Sequence, residues 1–117
     1  MNELFKTHFL NPHNMGKIKK ATHYSHCASG FCGDTIDFFA VVDDDNNIID
    51  LKYNAFGCYA LIASASILSQ WAIGKNVDLV KSTDAETLYN ILGNEVDDDK
   101  INCVEVVITA LKNLNIR

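Results

Sequence analysis

Hydrophobic residues along this chain change period twice, and the changes divide it into recognisable elements. Near the start, Leu4, Phe5, His8 and Phe9 share one side of a short helix that Asn2 can cap and Asn11-Pro12 stops. A loop follows. From Thr35 to Val42 the residues Ile36, Phe38, Ala40 and Val42 alternate with Thr35, Asp37, Phe39 and Val41, and from Ile48 to Phe56 the residues Ile49, Leu51, Tyr53 and Ala55 face one way. This alternation predicts two strands, and the turn formers from Asp43 to Asn47 join them as an antiparallel hairpin.

Past Gly57-Cys58 the texture becomes helical. The run Ala60 to Ile73 is rich in small residues, which predicts a helix packed closely against a neighbour and ended by Gly74 in a left-handed cap. Thr83-Asp84-Ala85-Glu86 has the form of a capping box and opens a helix with Leu88, Ile91 and Leu92 that ends at Gly93. Acidic residues Asp97 to Asp99 complement the start of a last helix, whose apolar positions are Ile101, Val104, Ile108 and Leu111. Its run Val106-Val107-Ile108-Thr109 suits a strand as well, and the spacing of the apolar positions favours helix. Strands come first and helices later, with room for a third strand in the 20s. The expected fold is α+β: a small antiparallel β-sheet of about three strands with helices packed on one face.

Composition narrows the function classes. A chain of 117 residues with 48% hydrophobic content can close one core, so residues 1–117 are expected to form a single domain. The net charge of -5, with acidic clusters at Asp43 to Asp45 and Asp97 to Asp99, leaves no basic stripe for phosphates, and no nucleic-acid partner is expected. The N-terminus lacks the pattern of a secretory signal and no apolar run spans a bilayer, so the expectation is a cytoplasmic protein with no membrane partner. Its four cysteines should then be free thiols. In a reducing compartment several thiols usually mean metal or redox chemistry, the bland alternative being small buried hydrophobes.

The stretch Ser25-His26-Cys27-Ala28-Ser29-Gly30-Phe31-Cys32-Gly33-Asp34 concentrates such groups without helical or strand periodicity. Its two cysteines are not spaced as a Cys-x-x-Cys knuckle, so a metal reading needs ligands from elsewhere. The remaining cysteines supply them. Cys32 precedes the first clear strand, Cys58 lies between the hairpin and a helix start, and Cys103 lies in the first turn or so of the last helix. Helix N-termini favour thiolate over thiol, which makes Cys58 and Cys103 good ligands or nucleophiles.

Four segments in order carry a family likeness: Asn11-Pro12-His13-Asn14-Met15-Gly16; Cys32-Gly33-Asp34; Tyr53 to Cys58 followed by Ala63-Ser64-Ala65-Ser66; and Lys100-Ile101-Asn102-Cys103. Together they resemble the IscU/NifU-type iron-sulfur cluster assembly scaffold over nearly the whole chain. The likeness is to the scaffold domain alone, since nothing after Arg117 corresponds to the extra cluster domains of longer NifU proteins. By that resemblance, Cys32, Cys58 and Cys103 would hold a nascent cluster, Asp34 would be the auxiliary ligand that keeps it labile, and Lys100 would lie beside the site. It further implies an iron-sulfur cluster, 2Fe-2S in preference to 4Fe-4S, assembled with sulfur from a cysteine desulfurase and passed to recipient apo-proteins. An electron donor such as ferredoxin would take part, and the scaffold would be a monomer or homodimer and not an enzyme. Thiolates are the soft ligands an Fe-S core needs, and a harder carboxylate completes a site meant to give its cluster away. Three thiolates and a carboxylate can also bind zinc tetrahedrally in the cluster-free form.

Departures from the family pattern fall at named residues. Asn102 stands where the family usually has a histidine, and its amide is a poor ligand. Val96-Asp97-Asp98-Asp99-Lys100 lacks the prolines of the segment read by a dedicated DnaK-type chaperone, so that partner is not carried over. Cys27 is extra. Cys27 and His26 therefore stand as additional candidate ligands, with Asp34 favoured over Cys27 because a loop loses entropy to deliver a thiol. Against these, His8 reads as a helix-face histidine without a catalytic part, and His23 and His26 as exposed loop residues. The competing functions are a zinc-dependent, SufU-like protein accepting persulfide sulfur, and a Cys-His thiol enzyme, for which no oriented base is evident.

Overall fold

Asn2 opens the first helix, its side-chain oxygen accepting from the Phe5 backbone N–H at 2.7 Å, and α1 runs over Glu3–Leu10. The computed structural model describes residues 2–30 and 33–117. Strands β1 (His23–Ala28), β2 (Thr35–Val42) and β3 (Ile48–Phe56) come next, followed by helices α2 (Tyr59–Ala72), α3 (Val77–Ser82) and α4 (Ala85–Ile91). A 3-10 turn, Asp98–Lys100, leads directly into α5 (Ile101–Lys112), and a short β4, Asn115–Ile116, follows it.

The sheet is antiparallel throughout, in the order β3-β2-β1-β4, with α2 packed on β3 and α5 on β1 and β2. Alternation along β2 sends Ile36, Phe38 and Ala40 into the interior, where Leu51 and Tyr53 of β3 join them, all fully buried. Each large apolar side chain among them stabilises the fold by roughly 1.5–3 kcal/mol relative to an exposed one. The small residues of α2, among them Ala60, Ala63, Ser64 and Ser66, are also fully buried, and α1 packs across this helix.

Several expectations are revised. Ser25 to Ala28 is strand, not loop: β1 pairs with β2 through His26↔Asp37 and Cys27↔Ile36. The sheet has a fourth strand, since Asn115 and Ile116 pair with Tyr24 and His23. Ile49 does not face inward with Leu51. The pairs Val42↔Ile48 and Val41↔Asp50 leave it as the extra residue of a β-bulge, 57% exposed. The cap of α4 is Asp84, which accepts from the Thr87 N–H at 2.8 Å, one residue inside the Thr83–Glu86 box. Helix α3, capped by Asn76, has no counterpart in the sequence reading. Val106 to Thr109 is helical.

The outer edge of β3 is occupied at both ends. Residues 14–16 lie along it through Gly16 N–H to Tyr53 O (2.8 Å) and Tyr53 N–H to Asn14 O (3.0 Å). At the other end, Gly74 donates to Ile48 O at 2.7 Å. Its φ of +92° serves a turn closed by Lys75 N–H to Ala72 O at 3.0 Å, and the left-handed cap expected of it is not formed, because its N–H bonds the strand and not the helix.

Candidate metal centre

The register of the hairpin decides where the site forms. Pairing of Thr35 with Phe56 sets Asp34, just before β2, beside Gly57, just after β3. The Ser29 N–H donates to Asp34 O at 2.8 Å and closes the base of the β1–β2 connection. Next along the chain, Cys58 is the N-cap residue of α2 but makes no side-chain cap bond, which leaves its thiol for the site. Helix α5, packed on β1, β2 and α2, delivers Cys103 from its first turn to the same place.

One ligand atom each from Asp34, Cys58 and Cys103 lies within 4.8 Å of the others. Cys58 Sγ is 2.9 Å from Cys103 Sγ and 3.8 Å from Asp34 Oδ2. Asp34 and Cys103 are buried and Cys58 is half-buried. Cys32, the remaining sequence candidate, lies outside the described residues.

Electrostatics reverse one expectation from the sequence. A helix N-terminus favours thiolate, yet the Cys103 thiol is pushed well above the ordinary thiol range, first by burial, then by the Asp34 carboxylate and the Cys58 thiol. A bound cation inverts these contributions, because it compensates the charge that burial penalises and makes the neighbouring acceptors allies. Binding then releases protons. The donor set of soft sulfur with one hard oxygen suits zinc or iron in tetrahedral geometry.

His26 and Cys27 are not in this group. On β1 they point to opposite faces: His26 Nδ1 lies 2.8 Å from Asp37 Oδ1 on the outer face, where the Tyr24 hydroxyl donates to the same oxygen at 2.7 Å. Cys27 packs against the core and lines a cleft of about 210 Å³ with Asn102, Glu105 and Val106. The two departures Cys27 and Asn102 thus share one cleft beside α5.

Lys100 packs on a residue that sequence reasoning missed. Its Nζ lies 5.5 Å over the ring of Tyr59, the residue after Cys58. The Tyr59 hydroxyl donates to Asp97 Oδ2 at 2.7 Å, and that bond, ahead of burial, pushes its pKa up to about 12. Tyr59 therefore ties the start of α2 to the segment leading into α5. A phenol directly after a boundary cysteine, with an acidic run elsewhere, was the available signal.

Asp34, Cys58 and Cys103 form a thiol-carboxylate cluster that could hold a metal ion, where two helix N-termini meet a hairpin's open end in an α+β fold. The sequence model of the NifU-like N terminal domain matches residues 2–115, and the chain belongs to that family. It is similar to the iron-sulfur cluster assembly scaffold protein IscU of Aquifex aeolicus, 31% identical over 111 residues, 94% of this chain and 70% of that protein. Scaffold protein IscU 1 of Archaeoglobus fulgidus is 32% identical over 105 residues, 90% of this chain and 67% of that protein. Among solved structures, a putative iron-sulfur cluster assembly scaffold protein for the SUF system from Fervidobacterium islandicum superposes with a TM-score of 0.75 at 19% identity, covering 96% of this chain and 93% of that one, which shows the shared fold. Among the described residues, no helix is long and apolar enough to cross a membrane.

Proposed function

We propose that this chain is a scaffold on which an iron-sulfur cluster is assembled and from which it passes to recipient apo-proteins. The observation that carries the reading is the convergence of Asp34, Cys58 and Cys103, whose ligand atoms lie within 4.8 Å of one another. Cys32 joins them as the third thiolate on the strength of the sequence motif, and residues 1–117 act as one scaffold domain. The cluster is cargo, 2Fe-2S before 4Fe-4S, and its sulfur comes from a cysteine desulfurase, with electrons from a ferredoxin-type donor. In a reducing compartment such as the cytoplasm the thiols stay available.

The chain's own groups divide the work. Cys58 and Cys103 bind iron through sulfur, giving up protons as they do so. Asp34 supplies a carboxylate oxygen, the weaker partner for iron held by thiolates, and so the bond that opens first when a recipient competes. No covalent intermediate with substrate carbon is required of the protein, in keeping with relatives named scaffold proteins.

Anaerobic reconstitution with iron and sulfide, followed by transfer to an apo-ferredoxin, tests this. A coloured protein that passes its cluster on supports the reading. A colourless protein that retains zinc and accepts persulfide sulfur instead would replace it with zinc-dependent sulfur transfer.

A further inference from the structure

Gly57 lies between β3 and α2, directly before Cys58 and beside Asp34, and its missing side chain is part of the site. A Cβ at this position would stand 2.3 Å from Asp34 Oδ1, 2.5 Å from Asp34 Cγ and 2.8 Å from Leu61 Cδ2. The first two separations fall on the carboxylate itself, and the third on a fully buried leucine of α2. With Oδ1 seated over Gly57, the other oxygen, Oδ2, is the one that faces Cys58 Sγ at 3.8 Å.

We infer that Gly57 is a positioning residue for the auxiliary carboxylate: the space over its Cα is the slot that holds Asp34 in the site. This rests on the scaffold reading above and deepens it. Were a methyl group placed there, one of its neighbours would have to yield. Leu61 is fully buried in the core, so moving it opens packed interior. Asp34 adjoins the exposed Gly33 in the β1–β2 connection, so its carboxylate can swing toward water and recover hydration. The carboxylate is the group that leaves. The slot therefore sets how labile the cargo is without touching any ligand atom.

The test compares Gly57→Ala, Asp34→Ala and the double variant, read by cobalt(II) substitution and by cluster lifetime after reconstitution. Cobalt(II) reports thiolates through charge-transfer bands and the remaining ligands through its ligand-field bands. Gly57→Ala is expected to keep the thiolate intensity of the parent, shift the ligand-field bands to those of Asp34→Ala, and change cluster lifetime by about tenfold in the same direction as Asp34→Ala, the low end of what orienting groups around a metal control. The double variant should match Asp34→Ala alone.

A Gly57→Ala protein with the parent's bands and lifetime overturns the slot, as does one that loses thiolate intensity, which would assign Gly57 to the placement of Cys58. Because φ at Gly57 is +156°, the Gly57→Ala substitution can also disturb the backbone, so Asp34→Glu with Gly57 retained gives an independent reading. The slot cannot take the longer side chain, and Asp34→Glu should behave as Asp34→Ala; a parent-like Asp34→Glu overturns the inference. If Asp34→Ala itself leaves the cobalt spectrum unchanged, Asp34 is no ligand, and the reading of the site falls before the slot does.

Discussion

Two buried polar regions of this domain are built on opposite logic. Between α1 and α2, Ser66 Oγ accepts from the His13 backbone N–H at 2.8 Å and lies 2.7 Å from His8 Nδ1, and Asn14 Nδ2 donates to Ser69 Oγ at 3.0 Å. There the named donors meet acceptors supplied by the protein, and the one buried group left over beside Ser66 is the Tyr53 hydroxyl, which has no hydrogen-bond partner among the described residues. At the other region, Asp34, Cys58 and Cys103 gather groups that are all acceptors once ionised, and the protein supplies no cation to pair with them among the described residues. A seam of paired groups gives stability to the fold. A gathering of acceptors gives affinity for something outside it.

Removing single groups should separate the two regions cleanly. The largest effect is expected for Cys103→Ser and Cys58→Ser: cluster content after reconstitution, measured by iron and sulfide per chain, falls to background while the thermal midpoint of the metal-free protein stays near the parent's. A large loss of metal-free stability would show that the thiols are structural and erase the contrast.

Ser66→Ala should do the reverse. Removing the hydroxyl leaves the buried His8 Nδ1 without its partner, at about 1–3 kcal/mol, so the melting temperature falls by several degrees while cluster binding per folded chain is kept.

The seam also predicts a pH dependence. Burial, and then the neighbouring His13, lowers the pKa of His8 from its ordinary 6.5. The folded state therefore favours neutral His8, so its contribution is full above the unfolded value and declines as pH falls below 6.5 toward the folded value. Denaturant titrations from about pH 7.5 to about pH 5.5 should show the parent losing stability more steeply than His8→Gln. Parallel profiles would remove His8 from the balance.

The smallest effect is expected for Cys27→Ser. Cys27 lines the cleft beside Asn102, outside the convergent group, so cluster yield and spectrum should match the parent. Loss of cluster in this variant would extend the site across the cleft.

Much of this organisation was legible before any coordinates. Alternation gave both hairpin strands, Asn2 marked the first cap, and the placement of Cys58 and Cys103 at element boundaries pointed to a site at helix N-termini. What escaped depends on partners distant in sequence or on too few residues. Strand β4 is only two residues long, too short to show a period. Ile49 looked inward because alternation assumes an unbroken ladder, and the bulge opposite Val41 and Val42 shifts the phase. His26 and Cys27 looked like loop because β1 mixes polar and small residues, and only its pairing with β2 makes it a strand. The clash that defines Gly57 is with an aspartate distant in sequence, and no local pattern announces it.

Occupation of the outer edge of β3 has a consequence for how copies of this domain meet one another. An open edge strand is a template for another chain, and extended segments can add to it without limit. Here the backbone groups of Tyr53 and Ile48 are already engaged by residues 14–16 and by Gly74 and Lys75. Strand-by-strand growth is blocked at these two places on the strand that continues into Gly57 and Cys58. A neighbouring molecule therefore finds no free template at Ile48 or Tyr53 of the strand that feeds the thiols.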